Sequence, residues 1–232
     1  MSSRSRWITF DCFGTLVNWR AGFAEALRPM AGASTEDVVR AYYAHEPPVE
    51  RRTPHRLYKD VLAAALARAA EECGVSLPSG SAHVLAESWG AMPIFDDVEP
   101  MLADLRRDGW RLAVLTNCDD DLFALTHRRF RAPFDLVLTA ERVRSYKPAP
   151  WHFRGFEQIA RVDRRDWVHV ANSFYYDIAP ARALGIQYIW LDRDRTGEPD
   201  VSALAHVHTA ADVPQAAARV IQRADARTPV CC

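Results

Sequence analysis

Five short apolar runs constrain this chain more than anything else in it. They are Trp7 to Phe10, Arg111 to Leu115, Phe134 to Leu138, Trp167 to Ala171 and Gln187 to Leu191. Runs of this length bounded by polar residues read as buried strands. Helical patterns lie between them: Val98 to Asp108, stopped by Gly109, then Asp121 to Phe130, Trp151 to Ala160, and Asp177 to Leu184, stopped by Gly185. Val207 opens a last short strand, and Val213 to Arg223 a last helix. Strands alternating with helices of roughly ten residues imply parallel βαβ units with right-handed crossovers, hence an α/β fold.

Residues 17–93 break that rhythm. Phe23 to Met30, Thr35 to Ala44, Leu57 to Cys73 and Ser79 to Trp89 all read as helical, and Glu46 to Pro54 reads as a proline-rich loop. The division is therefore a first strand and its loop over 1–16, a helical insert over 17–93, and the remainder of the α/β unit over 94–232. A chain of 232 residues has room for one domain with such an insert.

Composition narrows the class. The chain is 49% hydrophobic and 25% charged, which is globular and excludes disorder or a collagen-like repeat. Its 29 Lys+Arg against 30 Asp+Glu leave a net charge of −1, which argues against nucleic acid as a partner. No apolar run approaches the ~18 residues of a membrane span. The first apolar run is too short for the core of a signal peptide. The five cysteines, at 12, 73, 118, 231 and 232, form no CxxC pair and no zinc pattern. A cytoplasmic protein is the expectation, with Cys231 and Cys232 on a frayed tail.

Parallel strands place their C-terminal ends together, and here those ends are polar. Asp11 and Thr15, Thr116 and Asn117, and Asn172 and Asp177 should share one crevice with Lys147. Taken singly, each is equally a helix cap; taken together they point to catalysis. Asp11 in a loop rich in backbone N–H is a nucleophile candidate, with Lys147 to balance charge. Thr15, Thr116 and Asn117 supply donors, and Asp177 orients Lys147 or a water. Phe13, two positions after Asp11, cannot exchange a proton. A leaving group that departs as a stable anion needs none.

Asp11-Cys12-Phe13-Gly14-Thr15-Leu16, Leu115-Thr116-Asn117, Tyr146-Lys147-Pro148 and the run from Val170 to Gly185 resemble the four motifs of the haloacid dehalogenase superfamily. The resemblance covers nearly the whole chain in order. It implies a Rossmann-like parallel-sheet core with an inserted helical cap. Most members of this architecture are magnesium-dependent phosphatases with a second Asp where this chain has Phe13. The aromatic residue there is similar to the L-2-haloacid dehalogenases, which need no metal.

That resemblance implies Asp11 as nucleophile, with Thr15, Thr116, Asn117, Lys147, Asn172 and Asp177 completing the catalytic set. It places the cap arginine at Arg40, with Arg20, Arg51, Arg52 and Arg56 as rivals. Cys12, Phe13, Trp19, Tyr43, Phe174 and Tyr176 are the expected substrate wall, with Tyr42 beside them. The chain departs from the family in Asn172-Ser173-Phe174-Tyr175-Tyr176, where the family has Ser-Ser-Asn, and in Phe153, where it has a tyrosine. The implied reaction turns small (S)-2-haloacids and water into (R)-2-hydroxyacids through an aspartyl ester, with no cofactor. Two alternatives stay open. One is a phosphatase holding Mg²⁺ on Asp11 and Asp177, with Asp97 as a substitute acid. The other is a binding protein on the same fold. Homodimerisation, common in the family, is the partner expectation.

Overall fold

The computed structural model describes residues 5–197 and 206–226. Cys231 and Cys232 lie outside the described residues. Strand β1 (Trp7–Phe10) is followed by helices α1 (Trp19–Ala31), α2 (Thr35–Glu50), α3 (Tyr58–Glu72) and the single turn α4 (Val84–Glu87). Then come α5 (Val98–Arg107), β2 (Arg111–Thr116), α6 (Asp120–His127), β3 (Leu136–Thr139), α7 (Ala140–Val143), α8 (Trp151–Ala160), β4 (Trp167–Ala171), α9 (Ala179–Ala183), β5 (Gln187–Leu191), β6 (His206–Val207) and α10 (Val213–Ala226).

The six strands form one parallel sheet in the order β3-β2-β1-β4-β5-β6. β1 is central: Thr9 is in register with Ala113 on one side and His169 on the other. The chain leaves β1 toward β2 on one flank and later toward β4 on the other. That reversal opens a crevice at the strands' C-terminal ends, where ligands of such sheets bind. Continuous burial along β1 and β4 fits a sheet covered on both faces. Val98, Met101, Leu102 and Leu105 form the buried stripe of α5, on the order of 1.5–3 kcal/mol each.

Among the described residues no strand lies between α1 and α4. Asn18 caps α1 by accepting from the Ala21 N–H at 3.1 Å. α2 packs on α3, burying Val38, Val39, Tyr42 and Val49 beside Val61, Leu62, Ala65 and Leu66. Two expectations change here. Glu46 to Glu50 is not loop: α2 continues through Pro47 and Pro48. Each proline forfeits an i→i−4 bond, but Tyr42, Glu46, Val49 and Glu50 are buried on that turn, so packing outweighs propensity. The helix expected over 79–89 is instead a series of short turns, Ser81–His83, α4 and Trp89–Ala91.

After β4 the chain makes a π-helical turn, Phe174–Ile178, before α9. Ser173 holds it, accepting from the Tyr176 N–H at 3.0 Å while its carbonyl accepts from Ile178 N at 3.2 Å. The wider turn rotates Asp177 into the sheet end, where it is buried.

Gly22 marks a close approach. A Cβ there would lie 2.5 Å from Met92 Cγ and 3.1 Å from its Cα. Helix propensity alone favours alanine by ~1 kcal/mol, but the backbone of Met92 cannot yield as a side chain can. Gly22→Ala should destabilise the protein by about 1–2 kcal/mol, read as a lower urea midpoint at unchanged slope.

Candidate active site

Lys147 is 1% exposed and joins two carboxylates. Its ammonium donates to Asp11 Oδ1 at 2.8 Å, Asp177 Oδ1 at 2.6 Å and the Leu115 carbonyl at 2.9 Å. All three donor positions of the ammonium are used. The Thr15 hydroxyl donates to Asp11 Oδ2 at 2.8 Å and accepts from the Asn172 N–H at 2.9 Å. Three loops from β1, β2 and β4 are thereby tied together. Gly14, at φ +96°, supplies the left-handed turn that carries the chain away from Asp11.

Two carboxylates share one lysine, so the cluster is one positive charge short. Burial is the largest influence on Asp11 and raises its pKa; the Asp177 charge adds to this, and Lys147 only partly offsets it. Burial also opposes ionisation of Asp177, but Lys147 and His169 outweigh it and hold that carboxyl below its usual range. The same two charges keep Lys147 protonated despite burial. His169 Nε2 lies 3.1 Å from Asp177 Oδ1, and Thr9 Oγ1 lies 2.9 Å from His169 Nδ1. An ionised carboxylate only accepts, so His169 donates from Nε2 to Asp177. The Thr9 oxygen in turn accepts from Trp167 Nε1 at 2.9 Å. Asp177 Oδ2 is buried with no partner among the described residues.

The cluster opens into a cavity of about 360 Å³ between the sheet end and the helical segment. Phe13, Trp19, Phe23, Tyr42, Tyr43 and Trp89 line much of it. Phe13 packs on Trp89 at 4.5 Å between ring centroids, and Trp19 stacks on Tyr43 at 5.8 Å. No described helix is long and apolar enough to cross a membrane.

A family model for haloacid dehalogenase-like hydrolases matches residues 6–185. The chain belongs to that family. Among curated relatives, haloacetate dehalogenase H-2 of Moraxella sp. is 26% identical over 138 residues, 59% of this chain and 61% of that protein. The (S)-2-haloacid dehalogenase of Pseudomonas sp. is 27% identical over 122 residues, 52% of each. The match thus spans only 52–61% of these relatives' lengths. A solved L-2-haloacid dehalogenase superposes with a TM-score of 0.82 at 22% identity, covering 92% of this chain and 98% of the other, which shows the shared fold.

Within this haloacid dehalogenase-like hydrolase, Asp11, Thr15, Lys147 and Asp177 meet as the strand ends require. Thr116, Asn117 and Asn172 also line the cavity, but their polar atoms are already engaged. The Thr116 hydroxyl lies 3.6 Å from Cys118 Sγ. Asn117 accepts from the Lys147 N–H at 2.7 Å and donates to the Lys147 carbonyl at 3.1 Å and Glu50 Oε1 at 3.2 Å, so it fixes the lysine's own backbone. Asn172 donates to Asp194 at 3.1 Å and accepts from Arg193 N at 2.9 Å. Phe13, Trp19, Tyr43, Phe174 and Tyr176 line the cavity as expected.

Two expectations fail. Arg40 is 77% exposed in its side chain and pairs with Asp37 at 2.9 Å on its own helix. Helical spacing from the buried Val38, Val39 and Tyr42 turns it outward. Among the described residues of the helical segment, the arginine that lines the cavity is Arg20, paired with Asp194 at 2.7 Å. Cys12 is fully buried in the core, its thiol pushed well up by burial and then by Asp11, and it does not line the cavity. Asp97 is pinned by Arg193 and the Ala210 N–H and is not a cavity residue either.

Sequence reasoning missed His169, although a histidine inside Trp167-Val168-His169-Val170-Ala171 is a visible anomaly. It also missed Glu46, Glu50 and Tyr58. Tyr42, Glu46 and Glu50 are four residues apart and share a face only if α2 continues past Ala44. His152, its pKa lowered to about 3 by burial and then Lys147, is neutral, with Nε2 3.1 Å from the Thr116 carbonyl.

Asp192, His206 and His208 bring ligand atoms within 4.8 Å of one another. Asp192 already accepts from Thr196, Gly197 and His206.

The charge count predicts opposite effects for two isosteric or near-isosteric changes. Lys147→Met leaves two buried carboxylates unpaired and should cost about 3–5 kcal/mol in denaturant unfolding. Asp11→Asn leaves a neutral Lys147–Asp177 pair and should leave the unfolding midpoint equal or higher.

Proposed function

We propose that this protein is a hydrolytic dehalogenase in which Asp11 displaces halide from carbon. The observation that carries the reading is the Lys147 ammonium lying between Asp11 and Asp177, with Phe13 beside them. Asp11 Oδ1 and Asp177 Oδ1 are both taken by Lys147, and Asp11 Oδ2 by Thr15. Phe13 offers no oxygen. That donor set fits a hard divalent cation poorly, since such ions want six oxygens or near it. The absence of an acid at Phe13 suits a leaving group that needs no proton. Metal independence is part of the proposal.

In the first step a carboxylate oxygen of Asp11 attacks the carbon opposite the halogen. The C–O bond forms as the C–X bond breaks, and halide leaves with the electron pair. In the second step a water adds to the Asp11 carboxyl carbon. Its proton passes to Asp177 Oδ2, a buried carboxylate oxygen without a partner among the described residues. The ester C–O bond to the substrate breaks at the carboxyl side, and the departing oxygen takes that proton as a hydroxyl. The sum is alkyl halide plus water to alcohol, halide and a proton. Attack once at the substrate carbon inverts it, so an (S)-2-haloacid gives an (R)-2-hydroxyacid. The relatives' names make small 2-haloacids the first class to test. Their carboxylate would compete with Asp194 for Arg20 in this cavity. Homodimerisation and a cytoplasmic location remain parts of the expectation.

Halide release from chloroacetate and from L- and D-2-chloropropionate, in EDTA, should occur in the wild type and vanish in Asp11→Asn. Magnesium-dependent phosphate release from a generic ester, with no halide from any substrate, would point to the phosphatase instead. Asp11 must be ionised to attack, and its pKa is raised, so ionisation is lost as pH falls through the raised value. The acid limb of kcat/KM should therefore lie above pH ~4, the ordinary carboxylate range. A limb at or below that value contradicts the assignment.

A further inference from the structure

The cavity wall facing Asp11 carries carboxyls that the displacement chemistry does not use. Among the described residues five carboxyl side chains line the cavity, Asp11, Glu46, Glu50, Asp177 and Asp194, against two cations, Arg20 and Lys147. Lys147 is committed to Asp11 and Asp177, and Arg20 to Asp194. Glu46 and Glu50 remain, one helical turn apart on α2, both buried. Among the described residues neither has an Arg, Lys or His within ion-pairing distance. Glu46 Oε1 accepts from Tyr42 at 2.8 Å and from the Tyr58 hydroxyl, and Glu50 Oε1 accepts from Asn117 at 3.2 Å.

Such a pair is costly to keep ionised in an empty cavity. Burial raises the Glu46 carboxyl, and burial with the Glu46 charge raises Glu50 well above its usual range. A folded chain that merely needed filling there could use apolar side chains. The surrounding walls are aromatic: Trp19, Phe23, Tyr42, Tyr43, Tyr58 and Trp89. Two of these rings already take a cation on their faces, since the Arg20 guanidinium lies 5.4 Å from the Trp19 ring centroid and 5.9 Å from that of Tyr43. Aromatic faces around a buried carboxyl pair are the chemistry that holds alkylammonium groups. A small carboxylate anion has the opposite requirement and would find no counter-charge at this pair.

We propose that Glu46 and Glu50, with the aromatic wall around them, form a subsite for a cationic ammonium group of the substrate. This deepens the dehalogenase reading, on which it rests only for calling the ligand a substrate. It names the class as an alkyl halide that carries an ammonium group at the end remote from the halogen. The cation supplies the charge that the pair lacks, and the halogen-bearing carbon lies toward Asp11. Because the empty site favours neutral carboxyls, glutamine at either position preserves its shape and removes only the ability to ionise.

The test is calorimetric titration of the full chain with choline and with its neutral isostere 3,3-dimethylbutan-1-ol. Choline should bind at least about tenfold tighter. That preference should disappear in Glu50→Gln and in Glu46→Gln. Equal or tighter binding of the alcohol, no binding of choline, or a preference that survives both substitutions overturns the subsite. The comparison within the wild type stands even if a variant fails to fold. Halide release is read separately. Release from simple haloacids without a cation preference overturns the subsite and leaves the dehalogenase reading intact. A cation preference without halide release from any haloacid or from (2-chloroethyl)trimethylammonium keeps the subsite and overturns the dehalogenase reading.

Discussion

The Lys147 ammonium, wedged between two buried carboxylates, is the interaction on which the rest of the site depends. It draws the ends of β1, β2 and β4 to one point, because its three donors reach Asp11, the Leu115 carbonyl and Asp177. Its backbone is held in turn by Asn117, and Asp177 is held by His169 and Thr9 from within the sheet. A lone buried lysine would lose its proton, and a lone buried aspartate would gain one. Here each makes the other's charge tolerable. Asp11 is the less stabilised of the two carboxylates, its pKa raised by burial and then by Asp177, while that of Asp177 is lowered.

The second constraint comes from α2. Continuing the helix through Pro47 and Pro48 sacrifices backbone bonds and aligns Tyr42, Glu46 and Glu50 over the cavity. It also joins the helical segment to the sheet, because Glu50 reaches Asn117, which fixes Lys147. Glu50 and the Lys147 backbone are therefore joined through one amide side chain. Glutamine at 50 would keep an oxygen for the Asn117 amide, so the link to the lysine's backbone does not need a charge at 50.

Much of this was legible in the residues alone, for a definite reason. A parallel sheet fixes where strand ends go, so Asp11, Thr15, Thr116, Lys147 and Asp177 could be grouped from the alternation of strands and helices. The strand order around β1 does not follow from that alternation, since the crossover rule fixes the hand of each connection and not which neighbour it reaches. What failed lies where local propensity and packing disagree. Prolines argued against helix at 47 and 48, so the Glu46–Glu50 face was hidden. Arg40 was placed by resemblance, but the angular position of one residue on a helix depends on which neighbours bury, and Val39 and Tyr42 decide that against it. Cys12 follows the same logic, since alternate residues of a strand-end loop face opposite ways. His169 was in view as a polar break in an apolar strand, and only its register with Thr9 explains it.

The central claim is that the Asp11 carboxylate becomes covalently attached to the substrate carbon and is freed by water attacking its own carboxyl carbon. Turnover of a 2-haloacid or a haloalkylammonium in ¹⁸O-labelled water tests this directly, with peptide mass spectrometry of the loop containing Asp11. The account predicts ¹⁸O in Asp11 after repeated turnovers, and unlabelled oxygen in the alcohol product of a single turnover. Label in the single-turnover product with none in Asp11 would mean that water attacks the substrate carbon itself, and would contradict the account.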